Sequence, residues 1–301
     1  MDNIQQVYCV NLPECTNRLK NFDDNMREHN IHYTLWKATK GKEISNEDIK
    51  QYTSFICRKF TCTHGSIGCY LSHLKLWKHI QAHFQNENQF FLIFEDDSFI
   101  DESFLTNIQD IFDDLKSWEF SSRNPYPEYI NLASSFSPGK KKVTEHLSRS
   151  FIVNGTSAYL VSRKGIDTLI KNLDKRVHYH VDFTLTAHNI ASDSLAYYTT
   201  NNYVVNNDNF NSSISNTYPK LAPLILNYLL SVFRVNNHTH ILYDSALVTF
   251  ARTISCNIFV VLYVVLIALF VFYKKYGWLV LLVIAEIVAD IISFNKVATG
   301  C

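Results

Sequence analysis

Residues Phe90–Phe94 read FFLIF, an unbroken apolar run, and Glu95, Asp96 and Asp97 follow it directly. A short run without polar alternation describes a strand covered by protein on both faces, which calls for a sheet with helices on each side. The acidic triplet then lies at the carboxyl end of a central strand, on the rim where open α/β sheets bind ligands. If extended geometry continues through it, Glu95 and Asp97 point one way and Asp96 the other. Carboxylates converging on one face suit a hard divalent cation, Mg2+ or Mn2+, which keeps waters and shares its other ligands with substrate phosphates. The alternative is that the acids decorate the start of the next helix, where negative charge is favourable.

The flanking sequence alternates between strand and helix. Val7–Leu12 (VYCVNL) is a strand stopped by Pro13, and a charge-rich helix follows from Thr16 to about His29. His32–Ala38 reads as a second strand. In Gly65–Phe84, Ile67, Leu71, Leu74, Ile80 and Phe84 recur at near-helical spacing. Asp101 is a natural N-cap for a helix reaching Trp118. Tyr129–Ser134 and Gly155–Ser162 are further strands, Arg163–Leu173 (RKGIDTLIKNL) is a helix, and Leu195–Asn207 holds late strands with a turn. This order predicts an α/β fold with a mixed, mostly parallel sheet flanked by helices.

The charge balance, 28 Lys+Arg against 28 Asp+Glu, argues against a nucleic-acid partner. Lys140–Lys142 is the one basic run that stands out, and it reads as a solvated loop. The seven cysteines show no repeated spacing, so reduced thiols are expected rather than a disulfide framework. Cys57, Cys62, His64 and Cys69 lack the paired C-x-x-C knuckles of a structural zinc site.

The opening MDNIQQVYCVNL reads as a strand, not a signal peptide, and the hydrophobic mass lies at the other end. Ile254–Tyr273 carries no formal charge and has the length of a membrane-spanning helix, flanked by Arg252, Lys274 and Lys275. Trp278–Phe294 is a second, shorter apolar stretch containing Glu286 and Asp290. One span or two is left open. The expected layout is a catalytic domain over 1–220, a juxtamembrane helical segment over 221–252 and membrane helices over 253–296. Late synthesis of the anchor favours a cytosolic catalytic domain. Cytosolic placement of Lys274 and Lys275 would instead put that domain in a lumen, and sequons stand at Asn154, Asn211 and Asn237.

The blocks VNLPECTNRL, GSIGCYLSHLKLWKHI, FLIFEDD and GTSAYLVSRKGIDTLI…VDF resemble, in content and order, glycosyltransferase family 25 over roughly residues 5 to 215. That family includes bacterial lipooligosaccharide galactosyltransferases, collagen-modifying galactosyltransferase domains and relatives in large DNA viruses. The resemblance implies a GT-A-like, Rossmann-type fold and inverting transfer of galactose or glucose from a UDP-sugar. The acceptor would be a glycan, lipid-linked or protein hydroxyl, and the cofactor Mn2+ or Mg2+. It places Asn11 and Arg18 near the nucleotide, and Gly68, Ser72 and His73 where a helix approaches the donor. Glu95, Asp96 and Asp97 match a variant of the acidic D-x-D motif. Asp97 would be the metal ligand, and Glu95 a second one or a group steadying the ribose or a metal-bound water. Asn154, Gly155 and Tyr159 fall in the block before the S-R-K-G helix. Asp182 matches an Asp near the acceptor and is the candidate base, with Asp193 and Asp208 as competitors. One departure stands out: NNDNFNSSIS keeps Ser213 and Ile214 without the family's Asp between them. A catalytically degenerate, membrane-anchored nucleotide-sugar-binding or structural protein is therefore the alternative.

Overall fold

A computed structural model of the chain describes residues 3–55, 57–58, 62–118, 124–133, 140–151, 153, 155–173, 176–177, 181–192, 195–200 and 203–206. Further along it describes 220–221, 248–250, 254–256, 258–282 and 284. The chain forms two compact units, one of Met1–Ser54 with Ser66–Phe210 and one of Phe55–Gly65 with Asn211–Gly300.

The first unit begins with β1 (Ile4–Asn11), α1 (Thr16–Glu28), β2 (Thr34–Lys37), α2 (Asn46–Tyr52) and α3 (His64–His83). It continues with β3 (Phe90–Glu95), β4 (Ser98–Phe99), α4 (Phe104–Lys116), β5 (Tyr129–Asn131), β6 (Lys141–Lys142) and β7 (Ser148–Arg149). β8 (Ala158–Ser162), α5 (Arg163–Leu173), α6 (Val181–Ser192), β9 (Tyr197–Thr199) and β10 (Val205–Asn206) complete it. The main sheet runs β2-β1-β3-β8-β5-β9-β7-β6. It is mixed: β1 lies parallel to β2 and β3, and β5 parallel to β9, while β8 runs against both β3 and β5. β4 and β10 pair separately, antiparallel.

β3 occupies the central position expected of it. None of Phe90–Phe94 is more than 3% exposed. Phe90, Leu92 and Phe94 share one apolar cluster with Phe22 and Met26 of α1 and with Phe104, Ile108 and Ile111 of α4. Phe91, of opposite strand parity, meets the Phe84 ring edge-on beyond α3. Helices thus cover both faces, and an apolar side chain is required at every position of the strand.

Several boundaries differ from the sequence reading for local reasons. β8 starts at Ala158 rather than Gly155, because Gly155 takes a positive φ of 77° and turns the chain. Ser103, not Asp101, holds the N-cap position of α4; Asp101 Oδ1 instead accepts from the Ser103 N–H and hydroxyl at 2.9 and 2.6 Å. Lys141 and Lys142, expected in a loop, form the exposed edge strand β6, where charge discourages pairing with another chain.

In the second unit Cys57 and Cys62, expected as reduced thiols, are joined by a disulfide. A small sheet β11-β13-β12 is built from β11 (Lys220–Leu221), β12 (Val248–Phe250) and β13 (Ile254–Cys256), and α7 (Ile258–Phe272) follows. The expected single helix over Ile254–Tyr273 is corrected here: its first residues pair as a strand, and α7 has 15 residues. That helix spans about 22 Å against a hydrocarbon thickness of about 30 Å. Among the described residues no helix is long and apolar enough to cross a membrane. Most of 221–252, together with Glu286, Asp290 and the asparagines of the three sequons, lies outside the described residues.

Close packing between β5 and α5 generates a test. A Cβ on Gly165 would lie 2.3 Å from the carbonyl oxygen of Glu128. Gly165→Ala should lower the free energy of unfolding by about 1–3 kcal/mol, as overpacking does, read as a lower denaturant midpoint with an unchanged m-value.

Candidate active site

The carboxyl ends of β1 and β3 open side by side because the two strands are parallel neighbours, with Val10 opposite Glu95. β3 ends at Glu95, and Asp96 and Asp97 occupy a turn before β4. The strict alternation expected of the triplet is therefore broken. Asp96 and Asp97 both reach the same cation, while Glu95 has different partners.

That cation is Arg18, carried by α1 immediately after β1. One guanidinium nitrogen lies 2.6 Å from Asp96 Oδ1 and 2.6 Å from Asp97 Oδ2. Asn11, the last residue of β1, donates its amide to Asp96 Oδ2 at 2.7 Å. Asn11, Arg18 and Asp96 are buried, whereas Asp97 keeps 22% of its side chain exposed. Asp97 Oδ1 and Arg18 Nε are buried atoms without a hydrogen-bond partner. An orphaned carboxylate oxygen beside two further acids fits a divalent cation with oxygen ligands.

Glu95 faces α3 and the turn before β8. His73 Nε2 lies 3.2 Å from Glu95 Oε1, and the Thr156 hydroxyl donates to the same oxygen at 2.7 Å. His73 Nδ1 sits 2.9 Å from the Tyr159 hydroxyl, which also accepts the Trp77 indole N–H at 3.0 Å. Cys69, one helical turn before His73, brings its sulfur to the same place: the Cys69, His73 and Glu95 ligand atoms lie within 4.8 Å of one another.

These partners split the acids electrostatically. Burial alone would raise Glu95, but the hydrogen bond and electrostatic pull of His73, with Thr156 and Arg18, hold it below the usual carboxylate range. Burial pushes Asp96 up to about 6 against the opposing pull of Arg18 and Asn11. Asp97 is also raised, by burial first, with Arg18 opposing and the charges of Glu95 and Asp96 adding.

Other expected residues serve the frame around these groups. A Cβ on Gly68 would meet the Thr39 carbonyl oxygen at 2.7 Å and the Gly41 nitrogen at 2.9 Å, so α3 rests directly on the backbone after β2. Ser72 accepts from the Thr39 N–H at 2.8 Å and donates to the Gly68 carbonyl at 2.6 Å, stapling the same contact. Asp182, in the first turn of α6, accepts the Gly155 N–H at 3.0 Å and is buried. Burial, with the charges of Glu95 and Asp182, raises the Cys69 thiol. Asn154, Asp193, Asp208, Ser213 and Ile214 lie outside the described residues.

Sequence reasoning passed over Thr156, Trp77 and the pairing of Cys69 with His73. Only the last had a signal, the four-residue spacing on one helix. Thr156 reaches Glu95 through the Gly155 turn, which no spacing reveals. The imagined zinc set of Cys57, Cys62, His64 and Cys69 is not formed, since Cys57 and Cys62 are bonded to each other.

The family model described as "Glycosyltransferase family 25 (LPS biosynthesis protein)" matches residues 4–185. A "Glycosyltransferase 25 family member" of Aedes aegypti is 25% identical over 190 residues, covering 58% of this chain and 29% of that protein. This chain thus spans less than a third of that relative's length. Among solved structures, a galactosyltransferase LgtC in complex with donor and acceptor sugar analogs aligns at a TM-score of 0.33 and 10% identity, over 79% of this chain and 82% of that one.

The raised Asp96 generates a pH test. Its folded value, about 6, lies above the 3.8 of a free carboxyl. Folding therefore favours its protonated form, and this contribution is complete below pH 4 and lost as pH rises through 6. In metal-free buffer the wild-type chain should lose stability relative to Asp96→Asn between pH 4 and 6, by at most about 3 kcal/mol. Paired denaturant titrations across that window check it.

Proposed function

Since the chain belongs to glycosyltransferase family 25, we propose that it transfers a hexose, galactose or glucose, from a UDP-sugar to a hydroxyl acceptor with inversion at the anomeric carbon. The observation that carries this reading is the acidic turn after β3, where Asp97 presents a buried, unpartnered oxygen beside Arg18. In this reading Asp97 and Glu95 hold Mn2+ or Mg2+, which when bound stabilises negative charge on the leaving diphosphate as a Lewis acid. Arg18 pairs with both Asp96 and Asp97 and offsets part of their negative charge, which lowers the repulsion a nucleotide diphosphate would meet at the turn. Asn11 orients Asp96, and Arg18 with Asn11 borders the nucleotide. Gly68 and Ser72 hold α3 against the backbone at Thr39, which keeps His73 aimed at Glu95.

The reaction also needs a base for the acceptor hydroxyl. Glu95, held as an anion below the usual carboxylate range, is a weak one. Asp182 fills the role in this reading, anchored by the Gly155 N–H. The acceptor is a glycan, lipid-linked or protein hydroxyl. A GT-A-like arrangement of the sheet around the donor belongs to the same proposal.

The test is donor hydrolysis. The full chain with Mn2+ and UDP-hexoses should slowly release UDP, and Asp97→Ala should lower that rate by about 100-fold, the scale of losing one preorganised electrostatic contact. Equal rates for the two proteins would remove the metal assignment. A chain that only binds the donor would show a Mn2+-dependent rise in melting temperature with UDP and no release.

We further propose that residues 253–296 attach the chain to a membrane. Val264, Val265, Leu269 and Phe272 on α7, and Trp278, Val280 and Leu281 after it, are each at least 47% exposed. An apolar surface of this kind is costly in water and is relieved in lipid. A disulfide at Cys57–Cys62 suits an oxidising compartment. It supports the lumenal orientation over the cytosolic one, as does cytosolic placement of Lys274 and Lys275. In cells the full chain should stay in the membrane pellet after alkaline carbonate extraction, and deletion of 253–296 should release it. A full chain found in the supernatant would overturn the anchor.

A further inference from the structure

The cluster formed by Cys69, His73 and Glu95 differs in kind from the acidic turn beside it. It offers one sulfur, one imidazole nitrogen and one carboxylate oxygen, all within 4.8 Å of one another. Thiolate and imidazole ligands suit zinc, whereas oxygen donors suit Mg2+ and Mn2+. We propose that Cys69, His73 and Glu95 form a zinc-binding site that is distinct from the site at Asp97 and competes with it for Glu95.

Several features of the structure bear on this. The 3.2 Å between His73 Nε2 and Glu95 Oε1 matches the edge of a tetrahedral site with bonds of about 2.0–2.1 Å, roughly 3.3 Å. The sulfur lies no more than 4.8 Å from the other two ligand atoms, against roughly 3.6 Å in a tetrahedral site with Zn–S of about 2.3 Å. The second layer is already built. The ring nitrogen of His73 turned away from the cluster meets the Tyr159 hydroxyl, which the Trp77 indole fixes in turn. Thr156 holds the ligating oxygen of Glu95. Metal-binding histidines and carboxylates are oriented by such outer partners, and the pair at i and i+4 on α3 is a common way to supply two ligands from one helix. Access is open as well: Cys69 and Glu95 are partly exposed, while His73, at 1% exposure, is the fixed wall of the site.

Binding exchanges protons for metal bonds. Zinc takes Nε2, and the imidazole keeps one proton on Nδ1, where the Tyr159 oxygen accepts it. The Cys69 thiol proton passes to solvent as the zinc–sulfur bond forms. Three protein ligands leave a further position for water or a substrate atom. The competition for Glu95 rests on the proposed function, since it makes zinc an inhibitor of donor turnover. The site itself does not depend on that reading.

Cobalt is the probe, because a thiolate bound to Co2+ gives a charge-transfer band in the near ultraviolet. Titration of the full chain with Co2+ should produce this band, saturating at one equivalent, and added Zn2+ should abolish it. Cys69→Ser should remove the band, His73→Gln should weaken binding at least tenfold, and Asp97→Ala should leave it intact. Circular dichroism of each variant checks that it folds. A wild-type chain without the band, or a folded Cys69→Ser chain that keeps it, overturns the site. Loss of the band in folded Asp97→Ala overturns its separateness. In turnover, Zn2+ at constant Mn2+ should slow UDP release by the wild type and not by Cys69→Ser, and equal inhibition of both would overturn the competition. If neither protein releases UDP, the transferase reading fails and the cobalt band still decides the zinc site.

Discussion

The ion-pair knot at the end of β3 organises this molecule. A single guanidinium nitrogen of Arg18 serves Asp96 and Asp97, each at 2.6 Å, from a position only 4% exposed. Taking these charges out of water is costly, and removing the cation would leave two carboxylates close together without compensation, a loss of about 3–5 kcal/mol. The knot also joins elements far apart in the chain, because α1 carries the cation and the turn after β3 carries the anions. A hydrophobic replacement of similar shape would serve stability as well or better. Inside the knot Asp97 Oδ1 and Arg18 Nε are left without a hydrogen-bond partner.

Three adjacent acids meet two different environments because the chain turns between the first and the second. Glu95 is the last residue of the strand and leans on α3 and the Gly155 turn, where His73 and Thr156 stabilise its charge. Asp96 and Asp97 leave the strand and share Arg18. One cation spread over two acids does not offset the desolvation of both, so their protons are held more tightly than in free carboxyls. The same carboxyl chemistry thus yields one firm anion, Glu95, and two neighbours, Asp96 and Asp97, that hold their protons more tightly.

Much of the fold was legible in the sequence. The unbroken FFLIF run required a strand covered on both faces, and Phe22, Met26, Phe104 and Ile108 on one side with Phe84 on the other supply that cover. RKGIDTLIKNL became α5 with its expected bounds. The C-terminal apolar stretch was less legible, since hydropathy measures transfer to an apolar medium and does not distinguish a helix from the strand pairing that Ile254–Cys256 adopt. The disulfide between Cys57 and Cys62 was also invisible to spacing arguments, because it depends on the close approach of the two residues, 4.7 Å between Cα atoms.

Residue types and their order determined that this chain builds a layered α/β unit with carboxylates at the end of its central strand. Those are consequences of hydrophobic periodicity, which acts over a few residues and survives any rearrangement further away. Which charge each carboxylate meets was decided only by tertiary structure. Arg18 stands 79 positions from Asp97, His73 stands 22 from Glu95, and Thr156 stands 61 from Glu95. Parallel pairing of β1 with β3 brings the first of these together, and the close approach of α3 at Gly68 and the left-handed turn at Gly155 deliver the others. Electrostatic and metal-ligand chemistry work over a few ångströms of space, and a linear sequence does not record that distance.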